Sequence, residues 1–374
     1  MHHICTYLNN MDFSKKSINN LVLVSVVFTG LLFIFTWNPT ALKSAIFSFQ
    51  KHSTSQSNVP NVTMIRDELE AALSNAAMAT DKTVIITIVN KAYVEPHNDQ
   101  YPTMLDLFLE GFWVGEETRS LLDHLLVVAM DQTAYDRCSF RRLNCYRLLT
   151  DGVDFTEEKL YMSQDFIKMM WTRTRFLLDV LKRGYNFIFT DTDVIWLRNP
   201  FPRLRFNGTD DLQISTDNFN GNPRSQKNPI NTGFYHIRAN NKTITLFQIW
   251  YATRLNSTGL KEQDVLGNLI YKGVAAELGL NLRFLDTLYF SGFCRDSKDV
   301  RSVVTVHANC CRSISAKVAD LTAVLKDWKR FKQSKLGAST AKRIAAQNTT
   351  NAVFKFKWSN HIACFKSWRK PSAN

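Results

Sequence analysis

The chain has 374 residues, of which 45% are hydrophobic and 12% aromatic, and its formal net charge is +13. This composition excludes an intrinsically disordered protein and allows one large domain or two ordinary ones. Lys and Arg are scattered rather than blocked and no RNA- or DNA-binding signature is present, so we predict no nucleic-acid partner. The charge is typical of a solvated basic surface, and it also fits a diphosphate-bearing ligand or an acidic polysaccharide.

The first apolar run, LVLVSVVFTGLLFIFTW, covers residues 21–37 and carries no charge. As a helix it is about 25 Å long, which suits a thin bilayer of the early secretory pathway. Lys15 and Lys16 precede it, so the positive-inside rule predicts residues 1–20 in the cytosol and the rest of the chain in the lumen. The alternative is a cleaved signal peptide, but the Trp-Asn-Pro sequence at the end of the run is a poor cleavage site. We therefore predict a single-pass type II membrane protein.

Residues 38–80 are rich in small and polar side chains and predict a stem, with IRDELEAAL as a short helix. TVIITIV, residues 83–89, is a β-branched run of strand length. MLDLFLEGFWVG, residues 104–115, predicts an amphipathic helix, and SLLDHLLVVAM, residues 120–130, predicts a second strand that ends near Val128. A strand, a helix and a strand in this order are typical of an α/β fold.

The clearest predicted helix follows Ser163, a suitable N-cap, and ends at Lys182-Arg183-Gly184. YNFIF, residues 185–189, follows directly and predicts a buried strand. Later segments continue the alternation, as strand TGFYHIR (232–238), helix ITLFQIWYATRL (244–255), strand VVTVHA (303–308) and helix DLTAVLKDWKRF (320–331). We predict one α/β domain over residues 81–340, followed by a C-terminal extension over 341–374.

Six of the seven cysteines follow the predicted anchor, and an even number permits disulfides in an oxidising compartment. Cys138 and Cys145 are the nearest plausible pair, and the remaining pairing is open. A zinc site is disfavoured because no Cys-x-x-Cys spacing exists. The Asn-x-Ser/Thr sequons give mild support to a lumenal domain. They lie at Asn61, Asn207, Asn241, Asn256 and Asn348.

The strand YNFIF runs into Thr190-Asp191-Thr192-Asp193. Residues i and i+2 of an extended segment point the same way, so the two carboxylates can hold Mg²⁺ or Mn²⁺. Such a metal can bridge the phosphates of a nucleotide sugar and neutralise the leaving diphosphate. The alternative is a turn with solvated aspartates, since one Asp-x-Asp is expected by chance in roughly every chain of this length.

Other polar residues at predicted strand ends are weaker candidates. His307 ends VVTVHA and could be a third metal ligand, although a lone His is more often structural. Lys317 could reach a phosphate, although a Lys at that distance is usually a surface residue. Asn231-Thr232-Gly233 precedes a strand, and its Gly permits close approach to a ligand, although an ordinary turn is the simpler interpretation.

Glu262, Gln263 and Asp264 open a predicted helix. Acidic residues there interact favourably with the helix dipole, which needs no function. A buried acid at this position could instead hold the acceptor hydroxyl or the sugar.

Long stretches of the chain resemble, in the right order, the plant nucleotide-diphospho-sugar transferases of glycosyltransferase family 77. That group includes rhamnogalacturonan xylosyltransferases and extensin arabinosyltransferases, and the branch that carries HANCC is the most similar. The resemblance covers about residues 83–335. The matching stretches are LDLFLEGFWVGEETRSLLDHLLVVAMDQTAYDRC, MMWTRTRFLLDVLKRGYNFIFTDTDVIWLRNPFPRL, NTGFYHIRAN, FLDTLYFSGFC, HANCC and DLTAVLKDWKRF.

The resemblance implies a GT-A fold, a divalent cation (Mn²⁺ or Mg²⁺), a nucleotide-sugar donor such as a UDP-sugar, and Golgi residence. It implies that Asp191 and Asp193 bind the metal and the diphosphate, and that His307 and Lys317 assist them. We add the neighbouring polar residues as candidates for donor binding or catalysis. These are Thr190, Asn231 and Gly233 for the donor, and Glu262 and Gln263 for catalysis.

One departure from the family concerns the residues before that helix, where the family usually has His-Asp-Gln and this chain has Lys261-Glu262-Gln263. The imidazole is absent and the acid is one methylene longer, which puts sugar or acceptor positioning in doubt.

We therefore predict a Golgi glycosyltransferase that moves a sugar, with a pentose as one candidate, to a cell-wall polysaccharide or glycoprotein. Retention of the anomeric configuration is expected, and a front-face attack would need no carboxylate nucleophile. The alternative is an inactive relative that acts as a scaffold for another transferase, and oligomers with other Golgi transferases stay open. A lumenal phosphohydrolase would need more clustered carboxylate or His ligands than the sequence places near the Asp-x-Asp turn.

Overall fold

The computed structural model describes five stretches of the chain, residues 67–96, 102–150, 152–206, 208–344 and 356–368. The predicted cytosolic tail, membrane anchor and most of the stem lie outside these residues. Within the described stretches, no helix is both long enough and apolar enough to cross a bilayer.

Ten strands are formed by the described residues. They are β1 Thr83–Val89, β2 Leu125–Ala129, β3 Asn144–Arg147, β4 Asn186–Thr190, β5 Val194–Trp196, β6 Leu212–Thr216, β7 Ile230–Ile237, β8 Leu282–Phe284, β9 Phe290–Gly292 and β10 Thr305–His307. Seven of them form a central sheet in the order β3-β2-β1-β4-β7-β6-β8, and the other three form a small sheet in the order β5-β10-β9.

The central sheet is mixed. Strands β1 to β4 pair in parallel, whereas β7 is antiparallel to both β4 and β6. Because β1 and β4 are neighbours that run the same way, their carboxyl ends open at one edge of the sheet, which is where open α/β sheets bind ligands. The strand predictions for residues 83–89 and 185–189 are confirmed, with the second strand displaced by one residue.

Ten α-helices and two short 3₁₀ segments, Arg119–His124 and Arg254–Asn256, connect the described strands. The α-helices are α1 Glu68–Ala76, α2 Lys91–Val94, α3 Met104–Val114, α4 Gln132–Phe140, α5 Gln164–Lys182, α6 Asn241–Thr253, α7 Glu262–Tyr271, α8 Val274–Glu277, α9 Ile314–Ile344 and α10 Ile362–Lys366. Helix α5 begins as predicted, because the Ser163 Oγ accepts a hydrogen bond from the backbone N–H of Phe166.

The two faces of the sheet are covered by different apolar clusters. On one face α1, α5 and α6 contribute buried residues such as Leu73, Val180 and Phe247. On the other face α3 and β5 contribute Phe108, Phe112 and Trp196, with the Phe112 and Trp196 rings stacked 4.8 Å apart. Burial on both faces explains why the central strands read as continuous apolar runs.

Contacts at both ends extend the packed region beyond the residues predicted for the α/β domain. Helix α1, which we placed in the stem, packs Leu69 and Leu73 into the core, so the folded domain includes residues from 67 onward. Residues 356–368, which we call the C-terminal strap, are joined to the domain by the Cys311–Cys364 disulfide and do not form a separate extension. The predicted Cys138–Cys145 disulfide is formed, and Cys294 pairs with Cys310.

Candidate active site

A cleft lies at the carboxyl ends of β1 and β4, and the Asp-x-Asp turn lines it. The backbone N–H of Asp191 donates to the Gly233 carbonyl at 2.7 Å, and that of Val194 donates to the Asp191 carbonyl at 3.2 Å. These bonds hold the turn between β4 and β5. The side chain of Thr192 connects the turn to β1, because its hydroxyl lies 3.2 Å from that of Thr87. The turn is therefore fixed by the sheet beneath it.

The small sheet brings His307 to this turn. In the antiparallel pairing of β10 with β5, His307 is opposite Val194. The His307 Nε2 lies 3.3 Å from Asp193 Oδ1 and 4.0 Å from Asp191 Oδ2. One ligand atom from each of these side chains lies within 4.8 Å of the others. The structure thus brings together the three residues predicted as metal ligands.

This donor set fits Mn²⁺ or Mg²⁺, since two carboxylates supply hard oxygens and a neutral imidazole supplies nitrogen. The backbone leaves room beside it. A Cβ atom at Gly233 would lie 2.3 Å from His307 Cε1 and 2.8 Å from Asp191 Oδ2. Gly233 therefore contributes to the site by having no side chain, which leaves space for the His307 and Asp191 side chains.

Two cations, one buried and one partly buried, compensate the carboxylates. The Lys317 Nζ lies 2.7 Å from Asp193 Oδ2, so Lys317 is in the cleft as predicted. Arg173, on α5 and only 7% exposed, donates to Asp191 Oδ1 at 2.8 Å and to Glu262 Oε1 at 2.5 Å. Each aspartate of the turn therefore has its own cationic partner.

These contacts set the protonation states. Burial alone would raise the pKa of Asp193, but Lys317 and His307 together lower it far below its usual value. Burial raises the pKa of Asp191 above its usual value, and Arg173 opposes this only in part. Burial would lower the pKa values of His307 and Lys317, yet Asp193 raises both. Each charged group at the turn therefore shifts the pKa values of its neighbours.

Residues 231–233 and the start of α7 form a second wall. The Asn231 side chain accepts from the backbone N–H of Gly233 at 2.8 Å. Gln263 accepts from the backbone N–H of Thr232 at 3.1 Å, and Glu262 accepts from the Thr232 hydroxyl at 2.9 Å. Glu262 is buried, so a favourable interaction with the helix dipole does not by itself explain an acidic residue at this position. The structure brings Asn231, Glu262 and Gln263 to the predicted cleft.

The prediction for Thr190 requires correction. Its side chain is fully buried, and its hydroxyl accepts a hydrogen bond from the Trp196 indole N–H at 3.2 Å. It faces the core because alternate residues of a strand point to opposite faces. The Thr190 side chain therefore holds β4 to β5 and is not available to a ligand.

Sequence reasoning missed several polar residues of the cleft, among them Tyr93, Arg173, Asp217 and Asn309. Asp217 accepts from the side-chain amides of Asn231 and Asn309, both at 2.8 Å. Asn309 belongs to HANCC, and a search for polar residues next to His307 could have found it. Arg173 gave no comparable signal, because a single Arg on an amphipathic helix is normally exposed.

The comparisons with known proteins agree with this site. A family model described as nucleotide-diphospho-sugar transferase matches residues 120–321. A protein of Arabidopsis thaliana described as uncharacterized is 54% identical over 94% of this chain and 94% of its own length. A beta-arabinofuranosyltransferase of the same plant is 28% identical over 48% of this chain and 35% of its own length.

A further relative is the UDP-D-xylose:L-fucose alpha-1,3-D-xylosyltransferase 3 of Arabidopsis thaliana, 24% identical over 53% of this chain and 49% of its own length. The family match covers more than half of the chain, and the mixed sheet agrees with the α/β, GT-A-like fold that the resemblance implied. The chain therefore belongs to the nucleotide-diphospho-sugar transferase family and is a nucleotide-sugar glycosyltransferase.

Proposed function

We propose that the chain transfers a pentose from a UDP-sugar to a hydroxyl group of a glycan or glycoprotein in the Golgi lumen. The observation that carries the proposal is the set of Asp191, Asp193 and His307 at one end of a cleft, with Lys317 beside it. The pentose and UDP are supported by relatives whose names state xylosyl and arabinofuranosyl transfer and a UDP-D-xylose donor.

The side chains of the cleft have distinct roles in this proposal. Asp191, Asp193 and His307 would hold a divalent cation, which neutralises the negative charge that develops on the leaving diphosphate. Lys317, beside Asp193, is placed to bind a phosphate oxygen as a second positive charge. Arg173 opposes the rise in the pKa of Asp191 and orients its carboxylate from behind. We therefore include all five residues in donor binding.

Retention by front-face attack is part of the proposal. Glu262 is the carboxylate placed at the start of α7, but its Oε1 accepts hydrogen bonds from both Arg173 and Thr232. A carboxylate neutralised by a guanidinium is a poor nucleophile, so a covalent intermediate on Glu262 is disfavoured. The acceptor hydroxyl then attacks from the side of the leaving diphosphate, which accepts the proton.

Residence in the secretory lumen is supported by the cysteines. All six cysteines after the predicted anchor form disulfides, which persist in oxidising compartments and are rare in the cytosol. The Golgi assignment and the type II anchor at residues 21–37 remain proposals.

The test is Mn²⁺-dependent hydrolysis and transfer from a panel of UDP-sugars by the purified chain. Asp191→Asn and Asp193→Asn keep the side-chain volume but remove the charges, and each should lower turnover by about 100-fold or more. Asp123→Asn, a matched change at an exposed position outside the cleft, should have no effect. Removal of the metal with EDTA should abolish turnover, and re-addition of Mn²⁺ should restore it.

The same panel separates the scaffold alternative, which the Lys261-Glu262-Gln263 triplet favours because it stands where the family usually has His-Asp-Gln. A scaffold would show no turnover with any UDP-sugar. Full activity of an Asp191→Asn/Asp193→Asn double variant would instead refute the metal-dependent mechanism.

A further inference from the structure

The mouth of the cleft carries two exposed aromatic rings from distant parts of the chain. Tyr161, from the loop before α5, is 38% exposed, and Trp368, from the C-terminal strap, is 45% exposed. Their ring centroids are 6.4 Å apart with an interplanar angle of 63°, and both residues line the cleft that holds Asp191 and Asp193. Tyr and Trp rings with one apolar face and one wet edge are suited to binding amphipathic ligands such as sugars.

Cations accompany these rings. The Lys261 Nζ lies 5.4 Å from the Tyr161 ring centroid, and the Arg312 Cζ lies 4.0 Å from that of Trp368. Lys159 lines the same cleft. Within the described part of the chain, none of these three cations forms an ion pair with a carboxylate. Their charge is therefore available to a ligand.

Asp154 and Asp264 interact electrostatically with Lys159 and Lys261 without forming an ion pair, and the remaining acid at the mouth is engaged by the fold. Glu158 also lines the cleft, but its Oε1 accepts the backbone N–H of Ile314 at 2.7 Å, at the first turn of α9. The carboxylate is thus engaged by the helix N-terminus, where negative charge is stabilised. Lys159, Lys261 and Arg312 therefore outnumber Glu158 in the lining of the mouth, whereas the interior of the cleft contains the Asp-x-Asp turn.

Covalent and hydrogen-bonded contacts hold the Trp368 ring in place. The Trp368 indole N–H donates to the Cys310 carbonyl at 2.6 Å, and the Arg312 backbone N–H donates to Ser367 Oγ at 3.0 Å. Cys310 and Cys311 are adjacent in sequence and belong to two different disulfides. A surface fixed in this way loses little conformational entropy on binding.

We propose that this surface is the acceptor subsite and that the acceptor is an acidic glycan. Its sugar rings pack on Tyr161 and Trp368, and its carboxylates lie against Lys261 and Arg312. The inference rests on the proposed function, because it assigns the acceptor side of the same cleft. A neutral glycan would leave the unpaired cations without a partner, so their presence favours an acidic one.

The test compares two probes that differ only in charge. A hexamer of α-1,4-linked galacturonic acid and the same hexamer with its carboxyl groups reduced are titrated into the full-length chain by calorimetry. We expect the acidic hexamer to bind about tenfold tighter, with an affinity that falls as salt is raised. Equal binding of the two hexamers, or no binding of the acidic one, would overturn the proposal.

Variants locate the binding. Arg312→Glu should weaken binding of the acidic hexamer about tenfold. Arg312→Lys keeps the charge and should retain most of the affinity. Lys298→Glu, at an exposed site outside the cleft, serves as the matched control. Trp368→Ala should weaken both hexamers and Trp368→Phe should weaken neither strongly. Unchanged affinity in Arg312→Glu would refute this subsite.

A parallel titration of UDP with Mn²⁺ keeps the two proposals distinguishable. The Arg312 variants should bind UDP like the parent, because Arg312 is not among the donor-binding residues. If the parent chain fails to bind UDP but discriminates the hexamers, the donor proposal fails and the acidic-glycan subsite stands. If UDP binds and the hexamers do not, only the subsite fails.

Discussion

Arg173 shows how a single residue connects the metal ligands to the rest of the fold. Its guanidinium donates hydrogen bonds to both Asp191 and Glu262. Arg173 and Glu262 are 89 residues apart in the sequence. The guanidinium also lies over the Phe189 ring at 4.7 Å from the centroid. Loss of one partner from a buried ion pair costs about 3–5 kcal/mol, because the remaining charge is left uncompensated. Arg173, Asp191 and Glu262 are therefore one structural unit.

At the same scale, His236 predicts how stability depends on pH. The side chain is fully buried on β7, and this burial, with Arg238 nearby, lowers the pKa of His236 from 6.5 to about 4. The folded state therefore binds a proton less readily than the unfolded state. The contribution of His236 to the free energy of unfolding is therefore complete above pH 6.5, and it is lost as the pH falls from 6.5 towards 4.

The expected loss can be measured by urea denaturation of the full-length chain at pH 7 and pH 4.5. His236 should contribute about 2 kcal/mol to the difference in the free energy of unfolding, and His236→Gln should remove that contribution. Phe206→Leu disturbs the ring 4.4 Å from His236 without removing the titrating group, so its pH dependence should match the parent. An unchanged pH dependence in His236→Gln would contradict the prediction.

At the scale of elements, the sequence predicts the helices and strands whose residues carry a local pattern. Helix α5 has its cap, apolar periodicity and terminal Gly within one segment, and YNFIF is long enough to read as a buried strand. The three-residue strands of the small sheet lack such a pattern, and they pair across long separations, as β5 does with β10. The position of His307 beside Asp193 follows from that pairing, so its place at a strand end made it a weak candidate that the family resemblance strengthened.

The C-terminal strap is an element that local patterns did not predict, and buried aspartates of α9 hold it. Asp327 accepts the backbone N–H of Ser359 at 2.6 Å, and Asp320 accepts that of Cys364 at 2.8 Å. Both carboxylates lie on the helix that the sequence predicted over residues 320–331. Their hydrogen-bond partners in the strap are 32 and 44 residues away in the sequence, which is too far for a local pattern to indicate.

The strap predicts unequal effects of two disulfides. In the chain-entropy model, loss of Cys311–Cys364, with a separation of 53, should cost about 4 kcal/mol. Loss of Cys138–Cys145, with a separation of 7, should cost about 2 kcal/mol. Urea denaturation of the two double Cys→Ala variants measures the difference. An equal or larger loss of unfolding free energy for the Cys138–Cys145 variant would show that loop entropy does not determine how much the Cys311–Cys364 disulfide stabilises the protein.

At the scale of the whole molecule, the proposed orientation places every described residue in the secretory lumen. Two described sequons, at Asn241 and Asn256, have exposed Asn side chains. Asn256 lies in the 3₁₀ segment after α6, next to Leu255, which is 73% exposed. An oligosaccharide attached there would extend into solvent, so Asn256 is the favoured glycosylation site among the described residues.

Expression in plant cells followed by treatment with an N-glycosidase tests this orientation. The parent chain should shift to lower apparent mass, and Thr258→Ala, which destroys the Asn256 sequon, should lose one step of that shift. Ser257→Ala changes the neighbouring residue but keeps the sequon, so it should migrate like the parent. Because glycans are added only on the lumenal side, a chain with no glycan on any sequon would contradict the type II orientation, whereas the family membership and the Asp-x-Asp site would be unaffected.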